Sequence, residues 1–245
     1  MTASLAELED AALSSWPAAE VERIGGWGLG ASGGFTSRAN SVHVGGDIDP
    51  HDLDARLAAV DAFYGERGLQ PRIQVPLPHV SLLDGLRTRS WETRPGADVL
   101  VGPLPTGAGD TGDVEVLDRP EDLLDVWWSV NRAAAERSVE SAALLRRVEP
   151  PVAFALARLD GRPVACGVGT VRGTLLGVSA MATLPPVRGR GLGRRVLGAL
   201  SAWAGGLGAT TCWLQVAPGN EVAIGLYRSL GLRRSYGYVY VERSS

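Results

Sequence analysis

Arg188, Gly189, Arg190, Gly191, Leu192, Gly193, Arg194 and Arg195 form the stretch of this 245-residue chain best suited to chemistry. Glycines at alternate positions let a backbone approach a ligand closely with its N–H groups turned inward. Arginines beside them add full positive charge. The run of Val196, Leu197, Leu200 and Trp203 that follows has the spacing of one helical face. A helix starting there offers unpaired N–H groups and the positive end of its dipole. The combination is an anion site, most simply for a phosphate or pyrophosphate. A Rossmann-type site would need a parallel βαβ unit with an acid after the next strand. The strands before the loop read as a meander, and the next strand, 211–216, ends without an acid.

The elements that must position this loop can be read from the pattern. Residues 152–159, 164–171 and 175–182 read as three strands joined by the tight turns Asp160-Gly161 and Arg172-Gly173. The glycine-rich loop follows, then a helix to Gly205-Gly206, a strand at 211–216, a helix at 221–229 and an exit turn at Gly231. Two strands about Gly237 are expected to close the chain as a hairpin. Upstream, 114–117 reads as a strand, with helices from near Pro120, capped by Asp118, and over 139–148. The first part reads as a helix over 4–15 with Ser4 as N-cap, strands at 21–30 and 38–44, and a helix over 52–66. A strand at 72–75, a helix at 80–86 and strands at 90–93 and 99–101 complete it. The order strand, long helix, strand, short helix, hairpin occurs twice, which suggests a tandem fold. In that register the acidic loop Asp47-Ile48-Asp49-Pro50 falls on the arginine-rich loop, so only the second half would bind an anion.

Residues 103–113, rich in glycine, proline and threonine, are the best linker. The expected domains are therefore 1–102 and 114–245. Composition is that of a globular chain, 45% hydrophobic and 21% charged. A net charge of −3 argues against bulk nucleic-acid or membrane-surface binding and makes the arginine cluster a local patch. The two cysteines, Cys166 and Cys212, sit in apolar strand-like runs and read as core residues. With no long apolar run and no leader-like N-terminus, a cytoplasmic protein, monomer or homodimer, is expected. His43, His51 and His79 lack metal-ligand spacing and read as packing or surface residues.

The second half resembles the GNAT superfamily of acyl-CoA-dependent N-acyltransferases. Arg188, Gly191 and Gly193 match its Arg/Gln-x-x-Gly-x-Gly/Ala motif. Asn220, Ala223 and Tyr227, followed by Leu230-Gly231-Leu232, match its Asn-x-x-Ala-x-x-x-Tyr…Leu-Gly-Phe run. The first half looks like the degenerate extra half of some bacterial GNAT proteins.

The resemblance implies an α/β (α+β mixed-sheet) GNAT fold, tandem with a degenerate first half. It implies acetyl-CoA as co-substrate, with contacts from Met181, Ala182, Thr183, the loop from Arg188 through Arg194, and Asn220. It implies acetyl transfer to a primary amine, on a small molecule or a peptide, by direct attack in a ternary complex. Tyr227 would then protonate the departing thiolate, and an N–H near Met181 would polarise the carbonyl. Asn220 reads equally well as a helix N-cap, and Tyr227 taken alone reads as a core aromatic. No general base is legible; Glu136, Glu140 and Glu149 are candidates and equally solvated helix residues. The Arg38-Ala39-Asn40-Ser41 cluster could line an acceptor pocket, but reads better as support for the Ser32-Gly33-Gly34 turn. The alternative reading of the whole is a non-catalytic acyl-CoA-binding or sensing module.

Overall fold

The computed structural model describes residues 3–45, 52–106 and 113–243. The chain divides into two compact units. The first comprises 1–99, 217–219 and 235–245; the second comprises 100–216 and 220–234.

In the first unit, α1 (Leu5–Ser15) starts at Ser4, whose side chain accepts from the Glu7 N–H while the Glu7 carboxylate accepts from the Ser4 N–H. β1 (Glu20–Ile24) and β2 (Trp27–Ala31) form an antiparallel hairpin. The sequence suggests one strand here; Gly25 and Gly26, at φ +50° and +84°, instead supply the two positive-φ positions of a tight hairpin turn. Of the strand expected at 38–44, Arg38–Asn40 forms a 3₁₀ turn and only Val42–His43 is a strand, β3. α2 (Leu53–Gly65), β4 (Arg72–Pro76) and α3 (Val80–Arg87) follow as expected. β5 (Trp91–Pro103) is one strand where the sequence suggests two.

β11 (Arg233–Arg243) is also one strand, not a hairpin about Gly237. Tyr236, Tyr238 and Tyr240 keep the period-2 alternation through the glycine, and the Gly237 carbonyl accepts from the Leu77 N–H at 2.8 Å. Strand order in this unit is β1-β2-β3-β4-β11-β5. β3 and β4 are parallel, while β4 and β11 are antiparallel. Trp27, Leu29, Val42, Ile73, Val75 and Val241 meet α2 and α3 in an apolar core.

The second unit contains the end of β5, then β6 (Val114–Leu117), α4 (Glu121–Val130), α5 (Arg132–Glu136) and α6 (Ser138–Arg146). Pro120, with no side-chain bond, is the N-cap of α4 in place of Asp118. Next come β7 (Val152–Leu159), β8 (Arg162–Arg172), β9 (Leu175–Thr183), α7 (Leu192–Gly206), β10 (Thr211–Val216) and α8 (Glu221–Ser229). The order is β5-β10-β9-β8-β7-β6, with the β7–β8–β9 meander antiparallel and β9 parallel to β10. Strand, helix, parallel strand, helix, long strand thus recurs: β3, α2, β4, α3, β5 in the first unit and β9, α7, β10, α8, β11 later in the chain. The acidic loop 47–50, His51 and residues 107–112 of the linker lie outside the described residues. Leu104 is bonded through its N–H to the Thr210 carbonyl.

Candidate active site

β9 pairs with β10 only from Leu175↔Thr211 to Val178↔Leu214. Beyond Val178 the two strands have no ladder register. The cause is local. Between Cys166 and Val168 the β8–β9 register shifts, from Cys166↔Ala182 to Val168↔Ser179, so β9 carries an extra residue. Ala180 absorbs it at φ +48°, a left-handed conformation uncommon for alanine. Gly167 makes room on the facing strand: a Cβ there would stand 2.4 Å from Met181 Sδ and 2.9 Å from Val196 Cγ1. Met181, Ala182 and Thr183 therefore lie on the bulged end of β9, past its last pair with β10. Ala180 and Gly167, which set this geometry, carry no functional group that a sequence reading could pick out.

A 3₁₀ turn, Pro185–Val187, leads from β9 to the arginine-rich loop. Arg188 donates from Nε to the Thr183 carbonyl at 3.1 Å, tying the loop to the strand end. Gly189 and Gly191 lie at φ +77° and +76°, with open space around both Cα atoms. Gly191 is the N-cap of α7, and the first turn of that helix holds no acidic residue. Gly193 has an ordinary φ, and its Cβ would stand 3.3 Å from Leu226 on α8. Leu192 is buried, while Arg190 is exposed. Arg194 reaches Ser229 Oγ at 2.6 Å, and Arg195 pairs with Asp113 at 2.9 Å. The site thus combines a helix N-terminus, backbone shaped for close approach and nearby guanidinium groups.

Asn220 is the N-cap of α8; its Oδ1 accepts from the Ala223 N–H at 3.3 Å. Tyr227, two turns on, is 7% exposed and packs in the apolar core of this unit. Burial, and then the neighbouring Cys212, push its phenol up to about 12. A hydroxyl so shifted keeps its proton throughout the neutral range. Cys166 and Cys212 are buried free thiols, each pushed up to about 12 by burial, so neither is a thiolate nucleophile near neutral pH. Trp127 and Trp213 are buried core residues, and Trp203 packs on the core edge.

The base candidates sit among surface ion pairs: Glu136 with Arg132, Glu140 with Arg137 and Glu149 with Arg172. Arg137 holds the Glu140 carboxyl below its usual range. In the first unit Asn40 supports the turn before it: Oδ1 accepts from the Ser32 and Gly34 N–H groups, and Nδ2 donates to the Thr36 carbonyl. His43 is buried and His79 half-buried. No group of three or more His, Cys, Asp or Glu residues could hold a metal ion among the described residues. No helix among them is long and apolar enough to cross a membrane.

Solved structures share this architecture. A GCN5-related N-acetyltransferase from Kribbella flavida superposes with a TM-score of 0.75 at 19% identity, over 98% of this chain and 95% of the other. A tandem GNAT protein from the clavulanic acid biosynthesis pathway gives 0.65 at 12% identity, over 98% and 89%. The fold is therefore that of the GNAT superfamily. In sequence, a family profile described as "Probable histone acetyltransferase Rv0428c C-terminal" matches residues 2–241, and the chain belongs to that family of acetyltransferases. The probable histone acetyltransferase Rv0428c of Mycobacterium tuberculosis is 30% identical over 255 aligned residues, spanning 100% of this chain and 76% of its own length. The uncharacterized N-acetyltransferase YobR of Bacillus subtilis is 27% identical, over 92% of this chain and 93% of its own.

Proposed function

We propose that this protein transfers an acetyl group from acetyl-CoA to a primary amine, by direct attack within a ternary complex in the second unit. The observation that carries the reading is the departure of β9 from β10 after Val178, with the capped, acid-free start of α7 following from the same strand. The N–H groups of the first turn of α7, with Arg188 and Arg190, suit a pyrophosphate. Met181, Ala182 and Thr183, past the last β9–β10 pair, supply backbone groups for the pantetheine arm and an N–H to polarise the thioester carbonyl. The thioester supplies an activated acyl carbon and a thiolate leaving group.

As the amine nitrogen bonds to the acyl carbon, the C–S bond breaks and its electron pair stays on sulfur. Tyr227 gives its proton to that sulfur and is reprotonated from solvent. The proton lost by the amine leaves to water, which needs no dedicated base. A phenol near 12 is a weaker acid than an ordinary thiol in water, but a dry site also raises the proton affinity of the departing thiolate, so the proton crosses as charge develops on sulfur.

The probable histone acetyltransferase relative makes lysines of a basic protein one acceptor to test, beside free amino acids, polyamines and aminoglycosides. The net charge of −3 favours encounter with cationic acceptors. A cytoplasmic setting fits the two buried free cysteines. Release of free CoA from acetyl-CoA across such a panel tests the reading. Tyr227→Phe is expected to lower kcat by about 10²-fold or more with acetyl-CoA affinity retained. Acetyl-CoA binding without turnover on any amine would point instead to a sensing module.

A further inference from the structure

We propose that the first unit carries a second small-molecule site, one that takes a primary ammonium compound with a short apolar body and holds it on the Glu9 carboxylate. The site begins with the sheet. β3, β4 and β11 set His43, Gln74 and Tyr240 side by side, in the registers His43↔Gln74 and Gln74↔Tyr240. The neighbouring position on the other side, across from His43, is Gly28, against which Leu13 of α1 packs. α1 covers this polar row and presses Glu9 into it. Glu9 is 6% exposed, His43 4% and Gln74 0%.

The Glu9 carboxylate accepts from the Tyr236 hydroxyl at 2.5 Å and from Gln74 Nε2 at 3.1 Å. Both donors are neutral. A carboxylate offers about four lone-pair sites, so it retains capacity. The nearest ionisable nitrogen, His43 Nδ1, lies 3.9 Å from Glu9 Oε2, too far for a hydrogen bond. His43 Nε2 lies 3.1 Å from the Arg38 carbonyl, which can only accept, so the ring proton sits on Nε2. Nδ1, on the far side of the ring from that bond, has no hydrogen-bond partner among the described residues. A deeply buried carboxylate thus has neutral donors and, among the described residues, no cation at bonding distance. That arrangement is costly unless a cation arrives.

A cavity of about 410 Å³ opens beside it. Leu5, Ala6, Leu13 and Val44 give it apolar walls; Asp10 adds a second carboxylate, and Arg23 is the one arginine or lysine in the described lining. A hydrogen-bonding cation on an apolar body matches that lining, since the head meets Glu9 while the body covers the aliphatic wall. The site uses no residue of β9, α7 or α8, so it stands or falls apart from the acyl-transfer reading.

The test is calorimetric titration of the full chain, without CoA, with isoamylamine and with its neutral isostere isoamyl alcohol. Glu9→Gln removes the charge but leaves an oxygen for Tyr236; Ala6→Trp fills the cavity without touching the polar row. Isoamylamine is expected to bind saturably, and isoamyl alcohol at least about tenfold more weakly. Glu9→Gln should weaken the amine by at least about tenfold. Ala6→Trp should abolish its binding while acetyl-CoA affinity stays unchanged. No saturable amine binding, equal binding of amine and alcohol, or undiminished binding in Ala6→Trp would overturn the proposal. That last comparison decides the matter even where Glu9→Gln fails to fold.

Discussion

Gly191 and Gly225 are both helix-associated glycines where an added Cβ would meet nothing within 4 Å, yet substitution should act in opposite directions. Gly191 sits at φ +76°, where an L side chain is strained. Gly191→Ala is expected to cost about 1–2 kcal/mol and to weaken acetyl-CoA binding, since the backbone of the α7 cap must move. Gly225 lies inside α8 without a positive φ, so Gly225→Ala should stabilise by up to about 1 kcal/mol. Urea denaturation of the two variants beside wild type reads both signs. The arginine-rich loop was legible in the sequence because a chain reversal at positive φ leaves a glycine behind. Tyr227 was legible through its spacing from Asn220 and Gly231. Glu9 was not. It lies on the same helical stripe as Leu5, Leu8 and Ala12, a polar residue at a core position, and that mismatch was the available signal. Its partner Tyr236 is 227 residues away, so no local pattern could pair them.

At the scale of elements, Gly96 and Gly237 show why strand ends were harder to read than helices. Both look like turn glycines in sequence, and both lie inside long strands. Gly96 is there because β11 passes close by: a Cβ would stand 2.2 Å from the Tyr238 carbonyl oxygen. Gly96→Ala must push the two strands apart and is expected to destabilise by about 3 kcal/mol, measured as a lowered urea midpoint. A glycine that permits close approach and one that permits a turn leave the same letter in the sequence. Only the distant partner distinguishes them. The helices, with 3.6-residue periodicity and local caps such as Ser4 and Asn220, carry their own evidence within a dozen residues.

Across the second unit, three weak acids are buried in the protein interior: Cys166, Cys212 and Tyr227, each pushed up to about 12. Unfolding returns the thiols to about 9 and the phenol to about 10. Between those values and 12 the unfolded chain loses protons that the folded chain keeps, so stability must fall as pH rises. The contribution is fully present below pH 9 and drops by several kcal/mol by pH 12. Each group takes away about 1.4 kcal/mol for every pH step of one above its unfolded value. Chemical denaturation at about pH 8 and about pH 10.5, on either side of the thiols' unfolded value, checks the slope. Cys212→Ala should flatten it, since that variant has one fewer group to ionise on unfolding.

β11 has a consequence for how the molecule is made. β11 pairs with β4 over residues 238–242, buries Val241 in the first core and supplies Tyr236, which holds Glu9. The first unit leaves the ribosome early, yet it must wait for a strand made late. At about 5–20 residues per second, translation of the roughly 130 residues from β5 to β11 separates β4 from its strand partner by some seconds. During that interval the Ile73–Val75 edge is open, while the second unit can already assemble around its meander. Nascent copies carry an unpaired apolar edge until β11 arrives, so a late step of synthesis closes the unit that was started first.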